Sequence, residues 1–245
     1  MDVYERMARN YDLIYNDDID LGYYIHEAGI ADGPVLEVAC GTGRILLRLL
    51  SAGIYAEGID LSGAMLKVLS DKARALGMAP AIHQADMRDF HLGKRFKLII
   101  VPYRSFLHLK DDDERIRALK CFRDHLEEGG RLILHIYRFS EDERMNRHGE
   151  GPIGEDKMKA GDGSQYEIRW YLGYDRVSDI AHYRIELISA NGEDDVFEMD
   201  LHPIPPERLS DLLKRCGFKK IEFRSAFDDG SLDEDTQEVL CHAER

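Results

Sequence analysis

The segment Leu36-Glu37-Val38-Ala39-Cys40-Gly41-Thr42-Gly43 decides the fold. An apolar run at 34–38 meets two glycines, and helix formers at 43–52 follow until Gly53. The segment therefore reads as strand, tight turn, helix. Such a turn lets a ligand approach the backbone, with the free N–H groups of a helix start close by. The ligand is not read as a dinucleotide, because G-x-G-x-x-G needs a third glycine where Leu46 stands.

Outward from this turn the same unit repeats. Residues 54–60 read as a second strand ending in Asp60, and Ser62 caps a helix whose Met65, Leu66 and Leu69 share one face before Gly77 closes it. Strands follow at about 80–84, 97–102 and 130–137, with a helix from Asp111 to about Leu126. Apolar strands alternating with helices predict a parallel sheet covered on both faces. Residues 138–165, rich in Gly, Glu, Asp and Arg, predict a mobile loop. Alternation near 165–174, 177–188 and 194–201, with turns at 173–175 and 190–193, predicts a three-segment antiparallel meander. Arg169 and Tyr171 then lie on the face opposite Trp170. A helix carrying Leu209, Leu212, Leu213 and Cys216, ended by Gly217, leads to strands at 218–224 and about 236–243.

Length and composition agree with one domain that carries an insertion. The chain has 245 residues, 44% hydrophobic and 33% charged, which excludes a disordered or membrane-embedded chain. A formal charge of −14 disfavours nucleic acid as a partner. The scattered Cys40, Cys121, Cys216 and Cys241 form no C-x-x-C pair or zinc spacing, so they read as reduced thiols and no metal is expected. With no apolar leader or stretch of 18 apolar residues, the expected location is cytoplasmic, away from membranes.

Three acidic residues narrow the ligand. Glu37 and Asp60 end the first two strands, the latter placed for a ribose diol, and Asp86 follows the third in Gln84-Ala85-Asp86-Met87. Three carboxylates around one pocket repel a diphosphate and suit a cationic nucleoside; S-adenosylmethionine carries a sulfonium and an ammonium.

At these positions the chain resembles the class I S-adenosylmethionine-dependent methyltransferases. Glu37-Val38-Ala39-Cys40-Gly41-Thr42-Gly43 is similar to their first motif, with Ala39 in place of its first glycine. Gly58-Ile59-Asp60-Leu61-Ser62 with Met65 resembles the second motif, and Ala85-Asp86-Met87 the third. The resemblance implies a Rossmann-like α/β fold: a mostly parallel seven-stranded sheet, helices on both faces, and an antiparallel insertion after strand 5. It divides a single domain, 1–245, into an N-terminal helical lid (1–33), a cofactor-binding core (34–137), an insertion capping the substrate (138–204), and a closing helix with two strands (205–245). It further implies that Gly41 and Gly43 border the methionine moiety, Asp60 holds the ribose, Leu61 and Met65 flank adenine, and Asp86 faces the adenine amino group beside Met87. The cofactor is then S-adenosyl-L-methionine, leaving as S-adenosyl-L-homocysteine.

Methyl transfer is an in-line displacement, so alignment and water exclusion matter more than a covalent nucleophile. The most chemically loaded stretch is Val101-Pro102-Tyr103-Arg104-Ser105-Phe106-Leu107-His108-Leu109 after the fourth strand. It resembles the P-F/Y-R-S-F-x-H-L run of bacterial small-molecule methyltransferases and lacks the D/N-P-P-Y/F motif of enzymes acting on nucleic-acid bases. His108 is the candidate general base or a structural histidine bonding a loop carbonyl, Arg104 binds an acidic substrate group or ties its own loop to a neighbouring carboxylate, and Tyr103 walls the transfer site or simply packs. Tyr11 and Tyr15, four residues apart, share one helix face; the family's Y-D-x-x-Y lid implies that they close over the donor, and plain packing on the sheet edge is the alternative.

The expected acceptor is a small molecule, with an amine suggested by similarity to sugar-amine and glycine or sarcosine N-methyltransferases. O-methylation of a hydroxyl or carboxylate, a non-catalytic donor-binding module and a dehydrogenase stand as alternatives. The insertion also offers a surface for a homodimer.

Overall fold

The computed structural model describes residues 3–146, 151–160, 163–190, 192, 194–227, 230, 232–233 and 235–245. In chain order the elements are α1 (Val3–Met7), α2 (Tyr11–Ile14), α3 (Leu21–Ala31), β1 (Val35–Val38), α4 (Leu46–Ser51), β2 (Ala56–Asp60), α5 (Gly63–Ala75) and β3 (Ala81–Gln84). Then come β4 (Phe96–Val101), α6 (Asp112–His125), β5 (Leu126–Tyr137), α7 (Glu141–Met145), β6 (Gly154–Lys159), β7 (Gln165–Asp175), β8 (Ile180–Ser189) and β9 (Asp195–Leu201). The chain closes with α8 (Pro206–Arg215), β10 (Lys219–Ser225) and β11 (Glu238–Glu244).

Seven strands form one sheet in the order β10-β11-β5-β4-β1-β2-β3. β11 runs antiparallel to both β5 and β10, while β1 to β5 are parallel. Central β1 is buried at all four positions and edge β3 is mostly exposed, so the apolar run at 34–38 is the signature of a strand covered on both faces. The helix starts follow local chemistry. Ser62 accepts the Met65 N–H at 3.1 Å, and Asp111 accepts the Glu114 N–H at 2.9 Å, ahead of an acidic first turn that suits the helix dipole.

The expected seven-stranded α/β sheet is present, with an antiparallel sheet after β5. Residues 138–165 correct the loop expectation. They contain α7, opened by a Ser140/Glu143 capping box, and β6, which pairs with β7 from Gly154↔Trp170 to Lys159↔Gln165. The meander therefore has four strands, β6-β7-β8-β9. Edge strand β6 reads as a loop because its Glu155, Asp156 and Lys157 are all exposed and carry no apolar alternation. Residues 147–150 and 161–162 of that stretch, and Asn191 and Glu193 of the expected turn, lie outside the described residues. The helix after the glycine turn begins at Leu46 rather than 43, because Gly43 holds φ +85°.

One apolar cluster ties the layers to the N-terminus. Met7, Ala8 and Ile14 from the first helices pack with Met65 of α5 and with Ile168, Ile185, Leu187 and Phe197 of the second sheet. Each large side chain buried there contributes about 1.5–3 kcal/mol, and together they press the N-terminal segment between sheet and cap. Polar ties reinforce this: Arg6 donates to the Val196 carbonyl at 2.9 Å, and Asp12 accepts from Thr42 Oγ1 at 2.5 Å and Lys72 Nζ at 2.7 Å.

Candidate active site

A cavity of about 1030 Å³ opens where the parallel strands end. This is the edge at which open α/β sheets bind ligands, and the volume lies at the upper limit of small-molecule sites, room for two reactants. Because β11 is antiparallel, its first residue, Glu238, pairs with Tyr137 at the end of β5 and so reaches the same edge.

The half of the cavity over β1 and β2 is built by backbone. Asp60 accepts the Gly41 N–H and the Ser62 N–H, each at 2.8 Å, which ties the ends of the two strands together. Gly41 sits at φ +53°, and a Cβ added there would meet nothing closer than Tyr11 Cε1 at 4.0 Å, so its backbone is open to a ligand. Ala39 holds φ +58°, a left-handed conformation that favours glycine, which accounts for the glycine in the family motif. Glu37 lies beneath, 2% exposed, and its Oε2 has no hydrogen-bond partner among the described residues. Burial pushes its carboxyl well above the usual range, against the opposing pull of Arg44. Leu61, Met65, Ala85 and Met87 supply apolar wall.

Asp86 also lines the cavity, but as half of an ion pair. Arg88 donates to it from Nε, Nη2 and its own backbone N–H, and also bonds Glu114. The Arg88 hydrogen bond holds the Asp86 carboxyl below its ordinary range, and the carboxylate reaches the cavity already neutralised by the residue two positions on.

Aromatic rings cross the middle. Tyr11 and Tyr15 have centroids 4.8 Å apart, Tyr15 and Tyr103 5.3 Å, and Tyr4 and Tyr11 6.5 Å. Burial raises the phenol pKa of Tyr11, Tyr15 and Tyr103, so all three are neutral at physiological pH. Tyr103 and Arg104 follow β4 with φ of +53° and +64°. Two consecutive non-glycine residues in the left-handed region concentrate strain of about 1–3 kcal/mol each where the site is formed.

The other half is built by side chains. Tyr103 donates to Asp17 at 3.1 Å, whereas Arg104 turns the other way, bonds both carboxylate oxygens of Glu238 and lies 3.8 Å over the Tyr137 ring. His135 Nε2 is 2.7 Å from Glu238 Oε2. Burial alone would raise the Glu238 carboxyl, but the hydrogen bond from His135 and the Arg104 charge hold it at about 2. His108 Nε2 lies 2.7 Å from Tyr4 Oη. Trp170 reaches the cavity from the cap, while Tyr171 and Arg169 bond Glu186 and Glu167 on the opposite face, as the strand parity requires.

Of the residues singled out from the sequence, Tyr11, Tyr15, Ala39, Gly41, Asp60, Leu61, Met65, Ala85, Asp86, Met87, Tyr103, Arg104 and His108 line this cavity. Glu37, Gly43 and Pro102 are not on its wall. Gly43 serves packing: a Cβ there would stand 2.7 Å from Leu69 Cγ. Sequence reading missed Tyr4, His135 and Glu238, which enter from distant strands or the N-terminus with no motif around them. The capping box at Ser140 is the one overlooked local signal nearby.

Residues 35–130 match the family model described as a methyltransferase domain. A dTDP-3-amino-3,6-dideoxy-alpha-D-glucopyranose N,N-dimethyltransferase of Streptomyces fradiae is 31% identical over 143 residues, 55% of this chain and 54% of the relative. The chain thus spans about half the length of that curated relative. Among solved structures, an S-adenosylmethionine-dependent methyltransferase from Clostridium acetobutylicum ATCC 824 superposes over 98% of each chain, with a TM-score of 0.78 at 20% identity. The sugar N-methyltransferase KedS8 from Streptoalloteichus sp ATCC 53650 covers 96% of this chain and 92% of its own, with a TM-score of 0.74 at 26% identity.

Proposed function

We propose, from the match of residues 35–130 to a methyltransferase domain and a fold shared with a known S-adenosylmethionine-dependent methyltransferase, that the protein transfers a methyl group from S-adenosyl-L-methionine to a small-molecule amine. The observation that carries this reading is Asp60, pinned by two backbone N–H groups beside an open Gly41. A carboxylate at the end of a strand beside a glycine turn suits a ribose diol. Leu61 and Met65 would flank the base, and Tyr11 and Tyr15 would close over the donor.

The donor supplies a methyl carbon activated by a sulfonium; the acceptor lone pair forms the new bond as the carbon–sulfur bond breaks, and S-adenosyl-L-homocysteine leaves. What the chain itself contributes is alignment and exclusion of water. The buried tyrosines and Trp170 make an apolar, electron-rich passage suited to a positive methyl group. The amine attacks in its neutral form, and the proton of the product cation passes to solvent.

Calorimetric titration with S-adenosylmethionine, S-adenosylhomocysteine and NAD tests the donor assignment. Selective binding of the two sulfur nucleosides, weakened in Asp60→Ala, is expected; binding of NAD alone would overturn it. O-methylation is the less favoured reading, since it asks Arg104 to bind an acid and His108 to act as base. Arg104 is held by Glu238, and His108 sits against Tyr4. With an amine acceptor, His108→Ala lowers kcat less than tenfold; a loss of a hundredfold or more would favour the hydroxyl reading.

A further inference from the structure

At the corner of the cavity formed by β5 and β11, Glu238 and His135 both line the wall. Glu238 is 39% exposed at its side chain, while the partners that fix it are more deeply set, His135 at 4% and Arg104 at 26%. Their three hydrogen bonds occupy three of the carboxylate's roughly four lone-pair sites. Because a carboxylate cannot donate, His135 Nε2 carries the proton of that bond. The other ring nitrogen, Nδ1, is buried with no hydrogen-bond partner among the described residues, and His135 lines the cavity. The corner therefore holds a part-exposed carboxylate with capacity for a further donor.

The charge of the whole wall points the same way. Eight carboxylates, Asp17, Asp20, Asp60, Asp86, Asp156, Asp200, Glu114 and Glu238, face three cationic side chains, Arg88, Arg104 and Lys110. Arg88 is held by Asp86 and Glu114, and Arg104 by Glu238. A diphosphate would need several cations free to receive it.

We infer that the acceptor is recognised at the β5–β11 corner as a cationic amine, through an N–H donor to Glu238, and that it is not a nucleoside-diphosphate sugar. This rests on the methyltransferase reading and departs from the dTDP-sugar named for the curated relative. Glu238 receives the ammonium; the nitrogen then loses a proton to solvent, and its freed lone pair forms the bond to the methyl carbon as the carbon–sulfur bond breaks.

The test uses the full chain saturated with S-adenosylhomocysteine. The probes are primary amines up to the size of D-glucosamine, each paired with its N-acetyl amide, and dTDP. At least one amine is expected to bind ten times more tightly than its amide, with dTDP unbound. Glu238→Gln abolishes that preference, and Glu238→Asp, which keeps the charge on a shorter arm, restores part of it; S-adenosylhomocysteine affinity within threefold of wild type reports that both variants are folded. Binding of dTDP, equal binding of amine and amide, binding of no amine, or a preference unchanged in Glu238→Gln overturns the inference. Failure of the wild type to bind S-adenosylhomocysteine would instead sink the methyltransferase reading beneath it.

Discussion

The two halves of the cavity are held together by different means. Over β1 and β2, a carboxylate is gripped by backbone N–H groups 19 and two positions away in sequence. Over β4, β5 and β11, side chains grip one another, with Arg104 and Glu238 separated by 134 positions. Backbone contacts survive most side-chain changes and bind whatever fits the turn; side-chain contacts can be changed one residue at a time. The first arrangement suits a ligand common to many enzymes, the second a ligand that differs among them.

The sharpest way to break this comparison is at Asp60. Asp60→Ala removes two charge-assisted bonds that shape the Gly41 turn, so S-adenosylhomocysteine affinity should fall about a hundredfold, as read by calorimetry. Gly43→Ala comes next. The added Cβ meets Leu69 Cγ at 2.7 Å with φ at +85°, so unfolding free energy should drop by about 2–3 kcal/mol in denaturant melts.

Glu238 probes the other half through pH. Its folded carboxyl lies at about 2, below an ordinary value near 4.3, so its contribution is present above the ordinary value and lost as pH falls toward 2. With the side chain 39% exposed, screening limits that contribution to about 1 kcal/mol. Wild type should therefore exceed Glu238→Gln in stability by about that amount at pH 7, with the gap closing between about pH 5 and 2. The smallest effect belongs to Ala39→Gly, which relieves a left-handed alanine at φ +58° but adds freedom to the unfolded chain. A net gain of about 0.5 kcal/mol is expected in thermal melts.

The same contrast explains what could be read from the chain. The glycine turn and Asp60 each sit at the end of an apolar, buried strand, and the Ala85-Asp86-Met87 run follows the exposed edge strand β3, so position in sequence gives position on the sheet edge. The sheet was legible for that reason. Charge state was less so: Asp86 reads as a bare carboxylate until Arg88 is seen folded back on it. The acceptor side was legible only where Tyr103, Arg104 and His108 follow β4. Glu238 stands at the start of a strand rather than its end, and only the antiparallel course of β11 brings it to the site. His135 lies within an apolar strand, where nothing local separates a packed histidine from one that lines a cavity. β6 escaped because a polar edge strand lacks the alternation that marks a buried one.

The paired left-handed residues at 103 and 104 bear on how such chains diverge. Tyr103 turns toward the N-terminal segment and Arg104 toward the last strand, so adjacent residues serve opposite sides of the cavity. In the sheet order, β5, β4 and β1 stand between β11 and β2, which places the 104/238 pair well away from Asp60. Under the proposed reading, exchanging that pair changes the acceptor and leaves untouched the Asp60 turn that would hold the donor.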